Sequence, residues 1–235
     1  GSTAASPVSS AASTAAESTT SSIASETTSA AADENEATAA QLLNDLTGSY
    51  QELWPVILAD EYKQTWLDDC TALVGEDNAE AAFEKLSSMV TGDVYGEDAV
   101  KAYANGGGAY FCGFTNSLAT LTFDGETSTI SGTDKDGNVL FSHTYHYIGM
   151  EPVRGLYEFE SDDADSGEFT YFFLAPDTSA ETYHIEFRYG SDAEALSQYD
   201  AGEYAYWLAS GISTDCDQTM IDNCIELFCT ENLAG

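Results

Sequence analysis

Residues 169–190, FTYFFLAPDTSAETYHIEFRYG, contain two runs of aromatic and β-branched residues that are typical of strands. His184 and Glu186 stand two positions apart in the second run, and a strand places such a pair on one face. An imidazole beside a carboxylate suits a borderline divalent cation such as zinc, although two ligands are only part of a tetrahedral site. The segment therefore predicts strands that carry a candidate metal-binding pair.

The strand texture extends from residue 109 to residue 190. Short runs rich in Thr, Phe, Tyr and Ile alternate with the turn clusters DGE, DKDGN and SDDADSGE. This pattern predicts five to seven antiparallel strands that close, or nearly close, into a barrel.

Helical spacing of apolar residues flanks the strand region on both sides. Residues 40–75 predict two helices with a break near Trp54 and Pro55, and residues 78–90 and 96–105 predict two more. After the strands, residues 192–199, 204–208 and 214–228 are helix candidates. We predict one α+β domain over residues 41–235.

The first forty residues consist almost wholly of Ser, Thr, Ala and acidic residues, which cannot bury enough apolar surface to fold alone. They predict a flexible stalk of the kind that follows a lipid-anchored cysteine on a bacterial surface. The chain starts without Met, which predicts a processed form, and it has no run of about 18 apolar residues. We therefore expect an extracellular lipoprotein with no transmembrane helix.

The charge balance narrows the choice of partners. Forty-one acidic residues against six basic ones give a formal charge of −35, which disfavours nucleic acids and anionic membrane surfaces. The acidity either keeps a secreted protein soluble or attracts cations, and the two roles are compatible.

The sequence lacks the common catalytic and metal-ribbon motifs. It has no nucleophile elbow, P-loop, HExxH or dinucleotide-binding fingerprint, so we expect no enzyme. Its five cysteines form no CxxC pair, which argues against a zinc ribbon, and their spacing leaves the disulfide connectivity open.

Three segments together resemble one known family. They are LTGSYQELWPVI at 46–57, FLAPDTSAETYHIEFRYG at 173–190 and GSDAEALSQYDAGEYAYWLASGIS at 190–213. Their order and spacing resemble the ZinT (YodA) family of zinc-binding proteins, whose domain also occurs fused to zinc-importer binding proteins. The resemblance implies a calycin-like, lipocalin-related barrel with added helices, and capture of Zn²⁺ for an ABC-type zinc importer.

The resemblance also assigns ligand positions. The family binds zinc at a barrel mouth with three histidines, and the matching residues here are Phe172, His184 and Glu186. One histidine is kept, one is replaced by an oxygen ligand, and one is lost to a ring that cannot bind metal.

A replacement ligand could come from the segment NVLFSHTYHYIG. His143 and His146 are three residues apart, so a regular strand puts them on opposite faces and at most one of them faces inward. Either one, with His184 and Glu186, would complete a His₂Glu set with a fourth position for water. The alternative is that both are ordinary sheet residues.

Arg188 shares the face of His184 and Glu186 and would compete with a cation for the carboxylate. We expect this polar face to point into the barrel. The other face of the strand would then pack against the helices, with Tyr183, Ile185, Phe187 and Tyr189.

A second hypothesis keeps the barrel but not the metal. In that case the barrel binds a small ligand or a protein partner at an aromatic mouth that includes Phe172, Tyr204, Tyr206 and Trp207.

Overall fold

The structure is a computed structural model that describes residues 25–176 and 184–235. Within these ranges eight antiparallel strands follow one another around a closed barrel, and the last strand pairs with the first. The predicted α+β class, an antiparallel calycin-like barrel with flanking helices, is confirmed. The strands are Gly48–Glu52 (β1), Thr120–Asp124 (β2), Thr129–Thr133 (β3), Val139–Met150 (β4), Tyr157–Ser161 (β5), Tyr171–Leu174 (β6), His184–Gly190 (β7) and Ala209–Ser213 (β8).

Helices cover the outside of this barrel. They are Ser25–Asp45 (α1), Leu53–Ile57 (α2), Lys63–Val74 (α3), Glu76–Val90 (α4), Glu97–Ala104 (α5), Ala193–Leu196 (α6) and Gln218–Leu233 (α7). Helix α3 packs against both α4 and α7, α2 packs on β8, and α1 packs on β2 and β4. No helix in the described part of the chain combines the length and apolarity needed to cross a membrane.

Helix α1 overlaps the segment that was predicted to be a stalk. It begins at Ser25, so the boundary expected between residues 40 and 41 falls inside a helix. Ala39, Leu42 and Leu43 form its buried face at helical spacing, and Leu46, directly after its end, joins them in the core. The stalk stays a prediction for residues 1–24, which lie outside the described ranges.

Strands β1 and β8 were not predicted. Residues 48–52 were assigned to a helix, but they form β1, which pairs with β2 and β8. Residues 204–208 were also expected to be helical; instead they are mostly turn, and β8 begins at Ala209. These two short strands join the ends of the predicted sheet, so they convert it into a closed barrel.

Aromatic side chains fill the barrel. The Phe172 ring on β6 lies 5.6 Å from the Phe141 ring and 5.4 Å from the Tyr145 ring, both on β4. Because β5 separates β4 from β6, these contacts cross the barrel interior. Phe187 and Tyr189 on β7 join the same group, with ring distances to Phe172 of 6.5 and 5.3 Å. Alternate residues of β7 therefore point inward, and those between them point outward.

Arg188 lies on the outward face of β7 and is completely buried. Its Nε donates to the Trp207 carbonyl oxygen at 3.0 Å, and its Nη1 donates to the carbonyl oxygens of Leu196 and Gln198 at 2.5 and 3.0 Å. Its Nη2 donates to the carbonyl oxygen of Tyr204. One side chain thus holds the whole connection between β7 and β8 against the barrel wall.

Replacement of this guanidinium should destabilise the fold strongly. We expect Arg188→Met to lower the free energy of unfolding by about 3 kcal/mol or more, because buried carbonyl oxygens lose their donors. Urea unfolding followed by circular dichroism measures the change.

Lys63→Met is the matched control because it removes the same charge from an exposed ion pair, in which Nζ lies 3.3 Å from Glu80 Oε1. It should change the free energy of unfolding by no more than about 0.5 kcal/mol. Equal effects of the two substitutions would contradict the structural role of Arg188.

Candidate metal-binding site

His184 and Glu186 lie at the start of β7 on its outward face, beneath helix α7. Their exposed fractions are 4% and 5%. The His184 ring lies 5.6 Å from the ring of Phe228 on α7. The expectation that this polar face points into the barrel is wrong, because Ile185, Phe187 and Tyr189 are large apolar groups that fill the interior instead. Tyr183, the fourth residue of that expected set, lies outside the described ranges.

Two thiols face the same region. Cys224 stands one helical turn before Phe228 on α7, and Cys112 belongs to the segment that pairs with β8, since Ser210 N donates to its carbonyl oxygen. Burial, and in second place the Glu186 carboxylate, raise the pKa of both thiols. The carboxylate is therefore within electrostatic reach of each sulfur.

The charge states of these groups follow from burial. Burial alone lowers the pKa of His184 from 6.5 to about 4, because an imidazolium loses its hydration there. At neutral pH the ring is uncharged, which is the state that ligates metal. The two thiols keep their protons at the same pH, so a metal ion would have to displace them.

His143 and His146 are held at a different part of the barrel. His143 Nδ1 lies 2.7 Å from Asp163 Oδ2, and His146 Nδ1 lies 2.6 Å from Asp162 Oδ1. Both aspartates follow the end of β5, which runs in the same direction as β7. The two histidines thus lie near the end of the barrel where β7 finishes, whereas His184 begins β7 at the opposite end.

His143 and His146 lie on opposite faces of β4, as their spacing predicts. His143 is on the inward face, with its ring 6.0 Å from the Phe141 ring, and His146 is exposed on the outward face. Neither is brought to His184, so the expected His₂Glu set is not assembled. Across the described ranges, no three His, Cys, Asp or Glu side chains converge closely enough to hold a metal ion.

Phe172 also lies apart from the pair. It is fully buried on the inward face of β6, opposite to the face that carries His184 and Glu186. A metal ligand at position 172 could not share an ion with that pair across the sheet. The identity of residue 172 therefore does not decide whether the outward pair binds metal.

Arg188 does not compete for Glu186 in the way the sequence suggested. The hydrogen bonds of its guanidinium described above go to backbone carbonyl oxygens. The ring of Tyr199 lies 4.5 Å from the guanidinium carbon and provides a cation–π contact. Arg188 and Glu186 therefore share a face of β7, but the guanidinium binds the backbone rather than the carboxylate.

Sequence reasoning missed Cys112 and Cys224 as neighbours of the pair. A signal existed for Cys224, because the buried residues Ile221, Cys224, Ile225 and Phe228 follow helical spacing and so predict one buried face. No local pattern points to Cys112, which reaches Glu186 only through the tertiary fold.

The buried imidazole should make stability depend on pH. The unfolded chain takes up a proton near pH 6.5, but folded His184 does so only near pH 4, so acid favours unfolding across that window. We expect His184 to account for a loss of up to about 3 kcal/mol in the free energy of unfolding as pH falls from 7 to 4. Urea titrations of wild type and His184→Gln at several pH values measure this contribution.

His146→Gln serves as control because it removes an exposed imidazole of the same size. Between pH 7 and pH 4, the free energy of unfolding should fall more steeply in His146→Gln than in His184→Gln. If the two variants follow the same curve, burial of His184 is not the cause of the acid sensitivity.

No protein-family model and no curated protein matches the sequence. Among solved structures the chain is similar to the Zn(II)-bound ZinT-like domain of AdcA from Streptococcus pneumoniae, with 16% identity and a TM-score of 0.49 over 78% of this chain and 89% of that chain. It is also similar to Zn(II)-bound AdcA from the same species, with 15% identity and a TM-score of 0.45 over 82% of this chain. The match spans 35% of the length of that longer protein. The first of these structures is a ZinT-like domain, the family that the sequence motifs resemble.

Proposed function

We propose that this chain binds a divalent metal ion, with zinc as its cargo, at His184 and Glu186. The observation that carries the proposal is the placement of an uncharged imidazole and a carboxylate side by side on one strand face, beneath a helix that presents a thiol.

The donor types in this layer fit zinc. Imidazole nitrogen, carboxylate oxygen and thiolate sulfur are its three common protein ligands. The pair His184 and Glu186, together with Cys224 and Cys112, offers all three types around the start of β7. His143 and His146 then act elsewhere, and we assign them no share in this centre.

Binding requires a local rearrangement. Because no three donors converge in the described residues as they are arranged, side chains on β7 and α7 must rotate toward a common point before three can ligate one ion. Ligation by a thiol also releases a proton from a group whose pKa is raised by burial. Zinc affinity should therefore increase with pH.

The acidic surface is compatible with this cargo. A formal charge of −35 attracts cations from solution before any specific ligation occurs. We propose that the protein works outside the cell, tethered by a lipid anchor, and passes its metal to an ABC-type zinc importer. In this role it captures an ion and catalyses no reaction.

Zinc titration tests the proposal directly. Chelator-treated protein should bind one equivalent of zinc at pH 7 in a calorimeter, and His184→Ala should weaken the affinity about tenfold or more because one ligand is lost. Glu186→Gln should weaken it similarly, since the amide carries no charge.

His146→Ala is the matched control and should keep wild-type affinity, because that ring pairs with Asp162 at the other end of the barrel. Circular dichroism confirms that each variant is folded before titration. Absence of zinc binding in the wild type, or equal affinity in the His184 and His146 variants, would end the proposal.

A cavity outside the barrel favours a second candidate function, the binding of a small apolar ligand. It has a volume of about 300 Å³ and lies among α2, the end of α4 and the segment around Cys112. Trp54, Leu58, Val90 and Phe111 give it apolar walls. Of the aromatic residues expected at a ligand-binding mouth, Phe172, Tyr204 and Trp207 are buried, and the half-buried Tyr206 ring stacks on Tyr103 at 3.7 Å. We therefore propose this cavity, rather than that mouth, as the apolar site.

A neutral fluorescent probe tests this cavity. N-phenyl-1-naphthylamine should gain fluorescence when it binds wild type, and Val90→Trp should abolish the gain because the indole fills the space. Val139→Trp, at an exposed position of β4, is the control and should bind the probe normally. Equal probe binding by both variants would place the apolar site elsewhere.

A further inference from the structure

Two cysteines far apart in the sequence meet in the core. Cys70 lies on α3 and Cys229 lies on α7, and their Sγ atoms are 3.9 Å apart. Both residues are completely buried. All five cysteines fall within the described ranges, where each is a free thiol. Among them, no other pair shows a sulfur–sulfur contact of this kind.

We propose that Cys70 and Cys229 form a disulfide bond that ties α3 to α7. The two helices already pack against each other. Formation of the bond brings the two sulfurs from their 3.9 Å contact to the disulfide distance of about 2.0 Å. The remaining cysteines stay as thiols, which agrees with the odd total.

The bond forms by thiol–disulfide exchange. The two thiols lose two protons and two electrons, an Sγ–Sγ bond forms, and the disulfide of an oxidised exchange partner is reduced to two thiols. Such partners exist in the oxidising environments outside the cytosol.

Burial determines when the exchange takes place. It raises the pKa of both thiols, and the attacking species is the thiolate. The native fold also hides both sulfurs from reagents. The bond therefore forms while α7 docks on α3, and once formed it resists reduction until the helices separate.

The position of the bond matters for the outward face of β7. Phe228, which contacts His184, directly precedes Cys229. A crosslink at residue 229 fixes the helix that covers His184 and Glu186. The disulfide stands independently of the metal proposal, because it rests on the contact between α3 and α7 alone.

Thiol labelling of the full chain tests the bond. The protein is refolded in a mixture of oxidised and reduced glutathione, denatured without reductant and alkylated. We expect label on Cys112, Cys216 and Cys224 and none on Cys70 or Cys229, with all five labelled if reduction precedes alkylation. Peptide mass spectrometry should find residues 70 and 229 in one crosslinked species that is lighter by two hydrogens.

Thermal unfolding gives a second readout. Wild type that has been reduced in denaturant and refolded with reductant should melt about 10 °C below the oxidised wild type, since the bond closes a very long loop of the unfolded chain. The double variant Cys70→Ala, Cys229→Ala should be insensitive to reductant. The matched double variant Cys216→Ala, Cys224→Ala should keep the full sensitivity.

Two results would overturn the proposal. One is alkylation of Cys70 and Cys229 in oxidatively refolded wild type. The other is a crosslink that joins a different pair, such as Cys216 and Cys224. Neither result depends on whether the alanine variants fold.

Discussion

The Arg188 guanidinium is a buried cation whose hydrogen bonds go to the carbonyl oxygens of the chain between β7 and β8. A charge in this position loses its hydration, and only dense pairing with oxygen atoms compensates for that loss. Burial lowers its pKa to about 10, which still leaves it charged at neutral pH. The Tyr199 ring contacts both this guanidinium and that of Arg154, and the two guanidinium carbons lie 4.5 and 4.6 Å from the ring centroid, respectively. The connection is thereby fixed before β8 begins.

This connection controls barrel closure. Strand β8 pairs with β7 on one side and with β1 on the other, so its register depends on where the preceding residues are held. Only five residues long and rich in small side chains, Ala209–Ser213 contributes few apolar contacts of its own. Its neighbour Gly48–Glu52 is equally short and mostly polar. Tertiary pairing, and not local propensity, makes strands of these two segments.

The same distinction explains which parts of the fold were predictable. The six strands from β2 to β7 carry alternating or continuous apolar runs between clear turn signals, so the sequence predicts them. The strands β1 and β8 have no such pattern, and Gly48–Glu52 follows a strong helical pattern that continues from α1. Residues 204–208 were predicted to be helical, but their backbone groups bind Arg188 and the Phe111 segment instead.

The sequence predicts which candidate site residues share a strand face, but it does not predict whether that face points into or out of the barrel. Alternation in a strand places His184 and Glu186 on one face, and it places His143 and His146 on opposite faces. It does not tell which face of β7 is inside, since every residue of this strand is buried. Helix α7 and the chain held by Arg188 cover the outward face, so burial no longer distinguishes the two sides. Side-chain volume decides instead, because Phe187 and Tyr189 fill the barrel.

Helix α7 contacts the barrel on one side and helix α3 on the other. Cys224 and Cys229 are five residues apart, which corresponds to a rotation of about 140° around a helix axis. Cys224 therefore faces β7 and Cys229 faces α3, so the helix packs between the barrel and the helical layer. A helix held on one side by α3 can move on its other side only as far as that contact allows. For the proposed metal site, this constraint leaves side-chain rotation, or a shift of the N-terminal half of α7, as the routes by which an ion would reach His184 and Glu186.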